Sequence, residues 1–170
     1  MAGIILPYDN ILPRIDGSAF IAQNAVITGD VEIGPDSSVW FGCVMRGDVN
    51  EIRVGARTNI QDGTIVHCTR NKFGTYIGSD ITIGHAAVLH ACVLEDGCFV
   101  GMGATVMDGA RVESGAMVAA GALVPPGKVV KKGELWAGNP AKPMRPLTEQ
   151  ELAFFPVSAK HYVELSKAYK

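Results

Sequence analysis

No apolar run in this chain approaches the roughly 20 residues that a membrane-spanning helix needs. Its opening stretch, MAGIILPYDNILPRIDG, has no basic segment followed by a long apolar core. Neither a membrane anchor nor a secretion signal is expected, which points to a cytoplasmic protein. Charge is scarce too: Asp, Glu, Lys and Arg make up 19% of the chain, the formal net charge is −2, and the cations are scattered. Without a basic stripe to track phosphates, nucleic acid is not an expected partner. The four cysteines, Cys43, Cys68, Cys92 and Cys98, form no CxxC pair, so in the absence of a secretion signal they read as reduced core thiols. What the chain has in plenty is apolar side chain, 48% of 170 residues, enough for one globular domain with a core.

The apolar residues recur with a period of six. An aliphatic returns at Ile21, Ile27, Ile33, Val39 and Met45, then in a new phase at Val54, Ile60 and Val66. The third run is Ile77, Ile83 and Leu89, and the fourth is Leu94, Val100, Val106, Val112, Val118 and Val124. Four residues after each aliphatic the side chain is usually small, as at Ala25, Ser37, Cys43, Thr58, Thr64, Ala87, Cys98, Ala104, Ala110, Ala116 and Ala122. A helix of 3.6 residues per turn would scatter such a pattern around its cylinder, and each interior glycine would cost it about 1 kcal/mol. Short strands between tight turns accommodate it. If each hexad is one flat side, three hexads close a coil, and coils stack at strand spacing into a triangular prism. About six coils fit between residues 18 and 126 of this parallel β-solenoid.

The phase slips carry information about side chains that point outward. Ile77 follows Val66 by one hexad and five residues more, so CTRNKFGTY contains a five-residue loop. A coil holding it is three hexads plus five, and His67 advanced by that length is His90. Each of these histidines follows an interior aliphatic, so strand alternation turns both outward on one face. Two imidazoles one strand apart can converge on zinc, whose bonds of about 2.1 Å place ligand nitrogens roughly 3.4 Å from each other. His85, near the preceding corner, does not reach that metal from its own chain, which suggests that a neighbouring subunit supplies it. Met45 to Val54 exceeds one hexad by three, which places Arg46 beneath His67, and the lengthened step that joins His67 to His90 also places Asp62 beneath His85.

The motifs MRGD (45–48), NIQDG (59–63), VH (66–67), IGH (83–85), LH (89–90) and WAGNPAK (136–142) resemble the γ-class carbonic anhydrase branch of the hexapeptide-repeat proteins, over nearly the whole chain. The resemblance implies an all-β fold, a left-handed parallel β-helix, followed by a C-terminal α-helix. It implies a homotrimer with a Zn²⁺ ion at each interface, held by His67 and His90 of one subunit and His85 of the next. It also implies that Arg46, Asp48 and Asp62 form charged pairs at the interface, and that Gln61 and Asn59 line the metal-bound solvent or hold substrate. Tyr162 resembles a tyrosine near that solvent, although packing against the prism explains it as well.

The reaction so implied is attack of a zinc-bound hydroxide on CO₂ to give bicarbonate, with Gln61 orienting the nucleophile. Fe²⁺ or Co²⁺ would suit the same ligands. The chain departs from the best-studied pattern where glutamates of an acidic loop shuttle the proton, because Arg46 is followed by GDVNEI and His67 by Cys68, Thr69 and Arg70. Three alternatives share the fold: an acyl-CoA-dependent acyltransferase, a metal-dependent thioester hydrolase, and a metal-binding trimer without activity. The expected organisation is an N-terminal segment (1–17), the β-helix (18–127), a connecting segment (128–147) and a helical segment (148–170). Thr148 and Glu151 form a capping box there, Pro156 interrupts the pattern, and His161 follows without an assigned role.

Overall fold

The structure, a computed structural model, describes residues 3–169; Met1, Ala2 and Lys170, at the ends of the expected terminal segments, lie outside the described residues. Each hexad forms a strand of two or three residues that buries its aliphatic and then turns. Strands pair in parallel with their equivalents one coil later, giving a solenoid of about seven turns. One face stacks Phe20–Ile21, Ser38–Val39, Asn59–Ile60, Thr82–Ile83, Phe99–Val100, Met117–Val118 and Glu134–Gly138. The second and third faces form a single sheet, because Val44–Val54 runs unbroken through a corner and pairs with Ile65–His67 at one end and Thr75–Ile77 at the other.

Every aliphatic of the six-residue column, from Ile21 to Val124, is buried, and so is every small residue of the second column. Burial of this kind contributes about 1.5–3 kcal/mol per large aliphatic, which must offset the entropy of ordering a chain with so many turns. The turns need a left-handed residue. Gly103, with φ +65°, fills one such slot without the strain that a Cβ would bring.

The ends of the prism differ from the expected boundaries. Ile4–Leu6 and Arg14–Ile15 pair in parallel with Val26–Ile33, so most of the segment before residue 18 belongs to the first coil. Ile15 lies one hexad before Ile21 and continues its column. At the other end, Val130 and Trp136 carry the same column onward, and Val129–Val130 and Glu134–Gly138 add to the stack where a connecting segment was expected. Ala141–Pro146 then folds back antiparallel on Glu134–Gly138.

A single helix, Glu149–Lys167, returns across the first face. It opens with the expected capping box, Thr148 accepting from the Glu151 N–H and Glu151 from the Thr148 N–H. Pro156 does not interrupt it. The proline lies on the exposed side, while Phe155, Ser158 and Ala159 on the other side are buried and hold the helix to the sheet. Phe155 stacks on Phe99 at 5.1 Å, and Ser158 shares a hydrogen bond of 2.9 Å with Thr82. These contacts outweigh the one backbone bond that proline removes.

Candidate metal centre

The strand register places the histidines. Leu89 pairs with Val66 and His90 with His67, a step of three hexads plus five, so the inserted loop leaves the stack intact and bulges from the corner. Met45 pairs with Val66, the step of three hexads plus three that places Arg46 beneath His67. Both imidazoles emerge at the corner between the second and third faces, where Val44–Val54 bends and the loop at 68–74 departs.

Each ring is fixed by a carboxylate. His67 Nε2 lies 2.9 Å from Asp48 Oδ1, and Asp48 is also paired with Arg46. His90 Nδ1 lies 2.9 Å from Asp108 Oδ2, whose other oxygen accepts from the Thr69 hydroxyl. Burial by itself would raise both acids, but for Asp48 the bonds from His67 and Arg46, and for Asp108 those from Thr69 and His90, outweigh it and hold the carboxyls below their ordinary values. An ionised carboxylate only accepts, so the hydrogen of each neutral ring resides on the nitrogen facing it. The remaining nitrogens, His67 Nδ1 and His90 Nε2, then carry lone pairs and face each other at 3.2 Å. Two lone pairs at that distance repel unless a cation or a proton lies between them. The spacing is close to the roughly 3.4 Å between ligands on tetrahedral zinc, and a carboxylate behind each histidine is the usual support of a metal-bound imidazole. The donor set fits a divalent cation of the zinc type.

The other sequence-predicted residues gather at the opposite edge of the second face. His85 Nδ1 lies 2.8 Å from Asp62 Oδ2, which leaves Nε2 of the neutral ring as its free acceptor. Nearby, Gln61 donates to Asn59 Oδ1 at 3.0 Å, and Asn59 donates to Thr82 Oγ1, the partner of Ser158. Asn59 and Gln61 are therefore buried on the helix-covered face and not beside His67 and His90. Tyr162 packs edge-on against Trp40 at 5.5 Å, and burial, then the Asp62 charge, pushes its phenol up. His161 contacts Tyr162 with its ring. Among the described residues no three His, Cys, Asp or Glu side chains converge as a metal requires, so within one chain His85 stands apart from the His67–His90 pair.

Two residues at the centre escape the sequence reading, Asp108 and Thr69. Leu89 pairs with Val106, a coil one residue short of three hexads, so counting upward from His90 reaches Met107, and Asp108 lies one position beyond it in the following turn. Register alone therefore does not single out Asp108. Thr69 gives no signal at all, since nothing in its loop foretells a contact with a turn so distant in the chain. The four cysteines are free and buried, and burial pushes Cys43 up to about 11 and Cys92 up to about 12.

No family model matches the chain. It is 57% identical over 162 residues to gamma carbonic anhydrase 3, mitochondrial, of Arabidopsis thaliana, an alignment covering 92% of this chain and 63% of that one. The chain spans about three fifths of the length of the Arabidopsis relatives it matches. It is 44% identical over 167 residues to a carbonic anhydrase of Geobacillus kaustophilus, covering 98% of this chain and 91% of that protein. Among solved structures, a hexapeptide transferase family protein from Anaplasma phagocytophilum superposes with a TM-score of 0.96 at 51% identity, over 100% of both chains.

Proposed function

The chain belongs to the γ-class carbonic anhydrase family of hexapeptide-repeat proteins, and on that premise we propose that it is a metal-dependent enzyme converting CO₂ and water to bicarbonate and a proton. The observation that carries the reading is the pair of inward-facing lone-pair nitrogens at 3.2 Å, each ring held in place by an aspartate. We assign the cation as Zn²⁺, with Fe²⁺ or Co²⁺ suited to the same donors. The third ligand is His85 of a second copy, because one chain brings only two imidazoles together while His85 projects from the other edge of the same face. A contact between unlike edges that closes after three copies yields a homotrimer with three equivalent centres.

Zinc held by His67, His90 and the second copy's His85 would supply a water acidified from 15.7 toward about 7. The chain's own groups do the rest. Asp48, Asp62 and Asp108 keep the hydrogens of the three rings on their outer nitrogens, so that the inner ones stay free to bind. Gln61, anchored through Asn59 to the helix and next in sequence to Asp62, the partner of His85, would orient a water of the neighbouring half-site. Tyr162 borders this edge.

The test combines metal analysis with stopped-flow CO₂ hydration. The purified protein is expected to hold one zinc per chain as a trimer and to hydrate CO₂, and His90→Ala to lose both metal and activity. Hydration that persists in His90→Ala, or a monomer in solution, overturns the reading. The Anaplasma neighbour carries the name of a transferase, and another solved neighbour, from Bacillus cereus, is named for acetyl transfer. These names favour a second reading, acyl transfer, for which we take a coenzyme A thioester as donor. Such transfer would proceed without the metal, so acetyl-CoA turnover by zinc-stripped protein separates the two. Hydrolysis of the thioester that depends on zinc would mark the same centre acting on a different carbonyl.

A further inference from the structure

The Asp108 side chain is not explained by its turn. It precedes Gly109, which has φ +68°, and the same slot before the left-handed glycine holds Asp96, Met102, Ser114, Ala120 and Pro126 in neighbouring turns. A slot that takes methionine, alanine and proline does not require a carboxylate. Although its carboxylate also takes a bond from its own backbone N–H, Asp108 offers one oxygen to His90 Nδ1 and the other to the Thr69 hydroxyl.

Thr69 reaches it from the five-residue insertion. The insertion is itself closed, with the Thr69 N–H donating to Phe73 O at 2.9 Å, Lys72 N–H to Thr69 O at 3.3 Å, and the Asn50 amide to Thr69 O at 3.2 Å. The Phe73 ring lies over Gly109, where a Cβ would come within 3.5 Å of it. The loop thus grips the Asp108–Gly109 turn at two points, a hydroxyl on the carboxylate and a ring on the glycine. An extra length of chain in one coil is used to fix a turn two coils away.

We propose that Asp108, steadied by Thr69 from the inserted loop, is a positioning residue that fixes the direction and tautomer of His90, leaving Nε2 unprotonated toward His67. In its absence the His90 ring is free to place its hydrogen on either nitrogen and to rotate about its side-chain bonds. The lone pair that faces His67 is then present for only part of the time. The inference rests on the metal reading for its purpose, but not for its first observable.

The experiment has two readouts on the full-length protein. In the metal-free state, ¹⁵N imidazole shifts report the His90 tautomer, and chelator competition with zinc alone reports metal affinity. Wild type is expected to show the Nδ1–H form of His90. Asp108→Ala is expected to show a mixture and to bind zinc about 10- to 100-fold more weakly, the range for loss of an orienting partner. Asp108→Asn keeps an acceptor and is expected to restore the tautomer and to stay within about threefold of wild type. Thr69→Val is expected to lose about two- to fivefold. Melting of the metal-free protein is expected to fall slightly in Asp108→Ala, which loses its bonds to Thr69 and His90, although Ala120 shows that the turn itself accepts alanine. A His90 that remains Nδ1–H in Asp108→Ala, or zinc affinity equal to wild type, overturns the proposal. Failure of wild type to bind zinc would overturn the metal reading alone, with the tautomer still deciding this one.

Discussion

The coils from Leu94 to Val130 and those from Met45 to Cys92 are built from the same hexads, yet only one set is regular. In the former the buried aliphatic returns at every hexad without exception, and each left-handed turn slot is glycine: Gly97, Gly103, Gly109, Gly115, Gly121 and Gly127, with φ between 65° and 68°. In the latter the step between paired strands departs from three hexads every time, longer by three from Met45 to Val66, longer by five from Val66 to Leu89 and shorter by one from Leu89 to Val106. Its left-handed slots are occupied by Arg57, Asp80, Ala86 and Ala91 as well as glycine. Arg46, Asp48, Asn59, Gln61, Asp62, His67, His85 and His90 all lie in the irregular set. Ala86 directly follows His85, and Ala91 directly follows His90. The regular coils supply rigidity, while the interruptions bring outward side chains together at a corner and carry backbone strain where function requires it.

Substitutions that move stability in one region and metal binding in the other would sharpen this contrast. The largest effect is expected from Leu94→Ala, whose side chain is wholly inside the prism: about 2–5 kcal/mol of stability lost in urea unfolding, with zinc affinity of the folded fraction unchanged. His67→Ala is expected to do the reverse, weakening zinc by about 3 kcal/mol in chelator competition while metal-free melting stays near wild type. Equal losses on both axes for either variant would break the division. Next comes Gly101→Ala, whose Cβ would lie 2.7 Å from the Ala119 carbonyl carbon and 2.8 Å from Ala120 Cα. Backbone on backbone leaves no flexible neighbour to yield, and a loss of about 1–3 kcal/mol is expected. The smallest effect has the opposite sign: Ala91→Gly removes a left-handed alanine at φ 52° and is expected to gain about 0.5–1 kcal/mol in denaturant midpoint analysis. A loss there would show that the slot beside His90 is not strained.

The period of six made most of the prism legible, because an interior column admits only aliphatics and a second only small side chains, and every named member of both is buried. Counting residues across the slips was enough to align His67 with His90, since strand pairing tolerates a loop at a corner without losing its step. The first and last coils were hidden for a physical reason. A terminal coil has one neighbour instead of two, so Ile5 and Ile15 are only partly buried and Trp136 replaces an aliphatic at the far end. Pro156 misled because a helix held along one side by Phe155, Ser158 and Ala159 does not depend on every backbone bond. Side-chain contacts across coils, such as Thr69 with Asp108, follow from how a loop drapes, and no repeat encodes that.

The strand Ala141–Pro146, folded back on Glu134–Gly138, is the outermost strand on the helix-covered face. A parallel stack has no intrinsic length, and its last rung presents the same hydrogen-bonding edge that recruited each rung before it. Reversed direction spoils that template, and so do Pro143 and Pro146, which have no N–H to offer, and Lys142 and Arg145, exposed beside them. The molecule therefore carries its own terminator against end-to-end growth, and a chain stripped of this strand would be exposed to fibre formation through its own fold.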